Sequence, residues 1–99
     1  MIPLTKLFGT IREANGTPWT RPVTVRLNRT GIDPDHGQIV PFDHQVTPGP
    51  DGGFEIGLWS NARGIESSHY GLTIGDDVFI FELPDQAEAN LVDLVTLPG

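Results

Sequence analysis

Apolar and polar residues alternate along most of this chain, most cleanly from Pro22 to Arg29, where Val23, Val25 and Leu27 share one parity and Thr24, Arg26 and Asn28 the other. A period of two describes a strand with one face in a core and one in water, as in an antiparallel sheet packed on one side. Phe54 to Ser60 repeats the pattern, with Phe54, Ile56 and Leu58 together and Trp59 on the opposite parity. There Trp59 is either covered by the loop Asn61 to Glu66 or part of a contact surface. Ser68 to Ile74 sets Ser68, Tyr70, Leu72 and Ile74 against His69, Gly71 and Thr73, and Val78 to Leu83 sets Val78, Ile80 and Glu82 against Phe79, Phe81 and Leu83. Leu4 to Ala14 alternates less cleanly, but its Thr, Phe, Leu and Ile favour a strand. Gln38 to Val46 also reads as extended, with Pro41 confining it to an edge or breaking it.

Turn signals separate these runs. Asn15-Gly16 tolerates the positive φ of a tight turn, and Pro18 follows with its fixed φ. Thr30 to Gly37 reads as a loop. Thr47-Pro48-Gly49-Pro50-Asp51-Gly52-Gly53 is a turn cluster that neither a helix nor a sheet ladder absorbs. Beyond Pro84 the β pattern stops, and Ala87, Leu91 and Leu94 at spacings of four and three predict a short helix over about 85–94. The fold predicted is all-β: an antiparallel Greek-key β-sandwich of six to seven strands within 4–83, with a short C-terminal helix. Ninety-nine residues at 37% hydrophobic content suffice for one core, so residues 1–99 are expected to form one domain.

Charge narrows the partners. Thirteen carboxylates against six bases give a formal net charge of -7, which a nucleic-acid backbone would repel, so nucleic acid is not an expected partner. Scattered through turns, the acids read first as solubilising and secondarily as a patch for a basic partner. Without cysteine, neither a disulfide framework nor a thiolate zinc site is available. Apolar runs are only a few residues long, and the start, Met1-Ile2-Pro3-Leu4, lacks a basic region followed by an apolar one. No membrane partner and no signal peptide are expected.

Catalytic constellations are hard to assemble. Ser60, Ser67 and Ser68 with His36, His44 and His69 supply the only nucleophile and base types of a hydrolase, and the neighbours Ser68 and His69 would point to opposite faces of a strand. The histidines show no preformed metal-pair spacing. Asp33, Asp35 and Asp51 resemble fragments of a calcium loop but lack its alternation and closing Glu, and Asp33-Pro34-Asp35 reads as a turn whose carboxylates accept local backbone hydrogen bonds. Gly49, Gly52 and Gly53 do not open a helix after a strand, so no phosphate loop is expected. The expectation is a non-enzyme with no catalytic residues, metal or cofactor. Trp19, Trp59 and Tyr70 read first as core or inter-loop packing and otherwise as a candidate contact surface, in one form a sugar-stacking platform, which Leu91 and Leu94 join from the predicted helix.

Gly9-Thr10-Ile11, Asn15-Gly16-x-Pro18, Val23-x-Val25-x-Leu27, Asp51-Gly52-Gly53-Phe54-x-Ile56-x-Leu58 and Tyr70-x-Leu72-x-Ile74 together resemble the transthyretin-like, carboxypeptidase-regulatory-like β-sandwich over residues 5–83. More narrowly, Leu58-Trp59-Ser60-Asn61, and Phe81-Glu82-Leu83-Pro84-Asp85 leading into Ala89 to Leu94, are similar to N-terminal modules of tailed-bacteriophage fibre and other virion proteins. The resemblance implies a structural module of a tail fibre or appendage, assembled in the host cytoplasm and located in the virion. Its implied partners are other virion proteins, with homo-oligomerisation through a strand edge or the C-terminal helix. A carbohydrate- or surface-binding module is the alternative. The family's peptidase zinc ligands have no counterpart here, and the ending Thr96-Leu97-Pro98-Gly99 lacks the Tyr-Arg-Gly-Ser type ending of the related hydroxyisourate hydrolase.

Overall fold

Two sheets enclose the apolar parity of each predicted strand. In a computed structural model of the chain, which describes residues 2–94, strand β1 (Thr5–Thr10) lies between β6 (Gly53–Leu58) and β9 (Glu88–Asn90). The second sheet runs β5 (His44–Val46), β2 (Val23–Leu27), β7 (Tyr70–Ile74), β8 (Asp77–Phe81). A separate hairpin pairs β3 (Gly31–Asp33) with β4 (Gly37–Ile39). Leu7, Phe54, Leu58 and Ala89 from the first sheet meet Val23, Val25, Leu27, Tyr70, Leu72 and Phe81 from the second in one buried cluster. The all-β sandwich expected from the alternation is the observed architecture. Residues 1 and 95–99, at the two ends of the span expected to form one domain, lie outside the described part.

The cleanest alternation gave the most accurate expectation. Val23, Val25 and Leu27 are all buried, and β2 sits centrally between β5 and β7. Phe79 and Phe81 turn towards the core, while Val78 and Ile80 stay exposed. The turn cluster is tied internally: Gly49 N–H donates to Gly53 O (2.9 Å), and Gly53 N–H to Asp51 Oδ1 (3.0 Å). Gly52 sits at φ +83° against the Ile11 carbonyl, a place and a conformation that a side chain would not fit.

Two expectations change and one alternative is decided. Residues 30–37 are not a plain loop, because Gly31–Asp33 and Gly37–Ile39 close a hairpin whose turn Gly37 enters at φ +92°. Gln38 to Val46 is broken at Pro41 into β4 and β5, with Val40 to Asp43 outside any strand. The helix expected over 85–94 is confined to one turn, α1 (Leu91–Leu94), and Glu88–Asn90 is a strand parallel to β1. Helical spacing of Ala87, Leu91 and Leu94 competes here with an edge of β1 whose backbone groups need partners. The edge wins: Lys6 N–H donates to Ala87 O (3.0 Å), Thr5 Oγ1 donates to Gln86 O (2.6 Å), and Ala89 packs into the core. The sheets are therefore antiparallel with one parallel pair, and the strands among the described residues number nine, the added ones being three-residue pieces.

Candidate contact surface and the polar centre behind it

A carboxylate with no solvent exposure organises one end of the sandwich. Asp33, the last residue of β3, accepts the Trp59 indole N–H at Oδ2 (2.8 Å) and the Arg63 Nε–H at the same oxygen (3.2 Å). Its Oδ1 accepts the Asp35 backbone N–H (2.8 Å) and lies 3.2 Å from His36 Nδ1. The Trp59 hydrogen bond, with those from Asp35, His36 and Arg63, holds the Asp33 carboxyl well below the usual carboxylate range despite the opposing effect of desolvation. Arg63, whose own pKa is raised first by its bond to Asp33, also reaches Asp35 (3.3 Å) and Asp85 (3.5 Å). One buried anion thus joins the β3–β4 hairpin, the 3₁₀ turn Asn61–Arg63 and the chain leaving β8. Its oxygens are spent on four internal partners, which makes it a framework group.

Neighbouring polar side chains are used in the same way. Asn61 donates through Nδ2 to Ser68 O (2.6 Å) and accepts the Leu83 N–H (2.6 Å), and Ser60 Oγ donates to Leu83 O (2.7 Å). Tyr70 Oη donates to Trp59 O (2.6 Å) while its ring stacks on Phe81 at 5.7 Å. Burial pushes the Tyr70 phenol above its ordinary pKa. Asn61→Ala strips two buried backbone groups of their partners and should cost about 2–3 kcal/mol in urea denaturation. An unchanged midpoint would mean that water replaces both bonds.

These placements correct the expected contact surface. Trp59 and Tyr70 are buried, so they cannot stack a sugar. Gly31 is what allows this for Trp59: a Cβ there would stand 2.7 Å from the indole ring, so the hairpin backbone lies directly on the tryptophan. Trp19 is half-buried, with the Arg21 guanidinium 3.8 Å from its ring centroid in cation–π geometry. Leu91 and Leu94 are half-buried against the core. The five residues therefore do not form one exposed surface. Among the described residues, no group of three or more His, Cys, Asp or Glu side chains could hold a metal ion, and no helix is long and apolar enough to cross a membrane.

Exposed apolar side chains gather elsewhere. Leu4 (55% exposed), Val40 (71%) and Phe42 (66%) rim a groove of about 290 Å³. Ile2, Ile39 and His44 join them on its walls, and Leu27, Leu58, Trp59 and Tyr70 lie beneath. Phe42 meets the His44 ring edge-on at 5.0 Å and 72°. Burial lowers the His44 pKa, against a smaller upward pull from Asp43, which favours the neutral imidazole among these apolar groups. Sequence reasoning missed this groove because it placed Val40 and Phe42 in an extended segment that Pro41 confines to an edge or breaks, without asking what the break leaves uncovered. The available signal was Pro41, which leaves Val40 and Phe42 outside any ladder.

No family model matches the chain, and no curated protein matches it.

Proposed function

We propose that this chain is a non-catalytic structural module that works through protein–protein contact, with a virion appendage such as a tail fibre as its setting and other virion proteins as its partners. The contact reading rests on one observation, the apolar groove rimmed by Leu4, Val40 and Phe42. Single exposed apolar residues are ordinary on a protein surface, whereas a cluster around a concavity marks a surface made to be covered. The groove is held in shape from below, because Trp59 and Tyr70 in its floor are fixed by Asp33 and by each other. Its lining is apolar and aromatic with one neutral imidazole, which suits an apolar side chain of a partner better than a charged substrate. The virion setting comes from the resemblance alone.

The non-enzymatic part is supported by how the polar groups are used. The buried carboxylate, amide and phenol are each engaged with internal partners, whereas a general acid or base must reach a substrate. The sugar-binding alternative loses its platform with the burial of Trp59 and Tyr70.

Quantitative mass spectrometry of purified virions whose genome encodes the chain should find it in fixed ratio to the other tail proteins. Phe42→Asp should lower its incorporation at least tenfold while the purified variant keeps its thermal midpoint, since Phe42 is exposed. Particles that lack the wild-type chain would refute the virion setting, and full incorporation of Phe42→Asp would refute the groove.

A further inference from the structure

The outer edge of the four-stranded sheet is a different kind of surface. Among the described residues β8 pairs with β7 alone, in five consecutive antiparallel pairs from Ile74↔Asp77 to Tyr70↔Phe81. Counted from the two-residue hairpin at Gly75 and Asp76, the alternation of an antiparallel ladder turns the N–H and C=O of Val78 and Ile80 away from β7. The same two residues expose their side chains, 58% and 47% respectively, and close over Gly71, where a Cβ would lie 3.3 Å from Val78. Edge strands are commonly guarded by a lysine, a proline or a bulge. β8 carries one charge, Asp77 at its start, contains neither lysine nor proline, and its register runs without a bulge.

Acidic residues bracket this edge. Asp76 and Asp77 precede Val78 and Glu82 follows Phe81, all exposed, and among the described residues none of the three takes part in an ion pair. Several acids elsewhere are matched, with Glu55 and Glu88 flanking Lys6, Asp43 meeting Arg26 and Glu66 meeting Arg29, while among the described residues Glu13, Asp51 and Asp93 also take part in no ion pair. Charge also selects the occupant. A second copy paired antiparallel about Phe79 would set Asp76 opposite Glu82 twice, a like-charge arrangement that destabilises cross-strand pairing, and would bring together two chains of net charge -7. We propose that β8 is a strand-addition site for an extended segment of another protein, apolar in its middle and basic at both ends. Main-chain hydrogen bonds to Val78 and Ile80 supply the docking, and Asp76, Asp77 and Glu82 select the charge. The proposal rests on the contact-module reading, but on a different surface from the groove and without need of the virion setting.

The test is a titration of the isotopically labelled chain with a synthetic peptide, acetyl-KVTVTVK-amide, followed by NMR and amide hydrogen exchange. The Val78 and Ile80 amides should shift and exchange at least tenfold more slowly at saturation. The same peptide with glutamate for lysine should bind at least tenfold more weakly, and 0.5 M salt should weaken the basic peptide. Val78→Pro removes an outward N–H at an edge position where proline is tolerated, and should abolish binding. Asp77→Asn with Glu82→Gln keeps the strand and should reduce affinity about tenfold, so the proposal stays testable if the proline variant fails to fold. Equal binding of the acidic peptide, or protection away from β8, would overturn it. So would protection of Val78 and Ile80 that grows with protein concentration in the absence of peptide, since the occupant would then be a second copy. A failed titration beside normal particle incorporation removes the edge site and leaves the groove standing.

Discussion

Trp59→Ala is expected to destabilise the fold by about 3–5 kcal/mol in urea denaturation, the usual cost of emptying a buried tryptophan site. The indole fills the space between Gly31 and Gly64, where added Cβ atoms would lie 2.7 and 3.0 Å from it. The hairpin and the 3₁₀ turn would both lose the surface they rest on. Its N–H is also the largest single influence holding the Asp33 carboxyl in its charged form. Trp59→Phe separates the two contributions, because it keeps most of the apolar volume but removes the donor. That variant should lose less stability at neutral pH and should unfold at a higher pH than wild type on acidification. A surface platform would behave in the opposite way, with both variants near wild-type stability.

Asp33→Asn should produce the second large effect, exceeding that of Asn61→Ala. Four donors converge on the two Asp33 oxygens, two on each. An amide keeps one oxygen and turns a nitrogen, itself a donor, towards the other pair, so at least one of the four bonds is lost whichever way the side chain is flipped. The charge facing Arg63 disappears as well. Since the folded carboxyl sits below its ordinary value of 3.8, its contribution to stability is complete above that value and is lost as pH falls towards the folded one. Wild type should therefore hold a nearly constant thermal midpoint above about pH 5 and lose it steeply below about pH 4. Asp33→Asn should start lower at neutral pH and show a shallower acid slope. A variant whose slope below pH 4 matches wild type would remove this carboxylate from the account of acid stability.

Both predictions concern a centre whose members are visible in the sequence but not as a centre. Asp33-Pro34-Asp35 was legible as a turn with local side-chain bonds, and the Asp35 N–H does donate to Asp33. Nothing in the local pattern brings Trp59 and Arg63 to the same carboxylate, since they lie 26 and 30 residues away. The strands that could be read, β2, β6, β7 and β8, carry their own burial instruction in a period of two. β3, β4 and β9 do not: each has three residues, and each forms because a partner edge or the Trp59 ring is already in place. Ala87, Leu91 and Leu94 show the same limit from the other side, for a helical spacing yields to an open backbone edge on β1. Pro41 was legible as a break or an edge in residues 38–46, but nothing local shows that Val40 and Phe42 meet Leu4 around a groove.

A photocrosslinking amino acid placed at position 42 in assembled virions, with the exposed position 15 as control, tests the contact reading most directly. Position 42 should form a crosslink to another virion protein and position 15 should not. Absence of a crosslink at 42, or equal crosslinking at both positions, would contradict it.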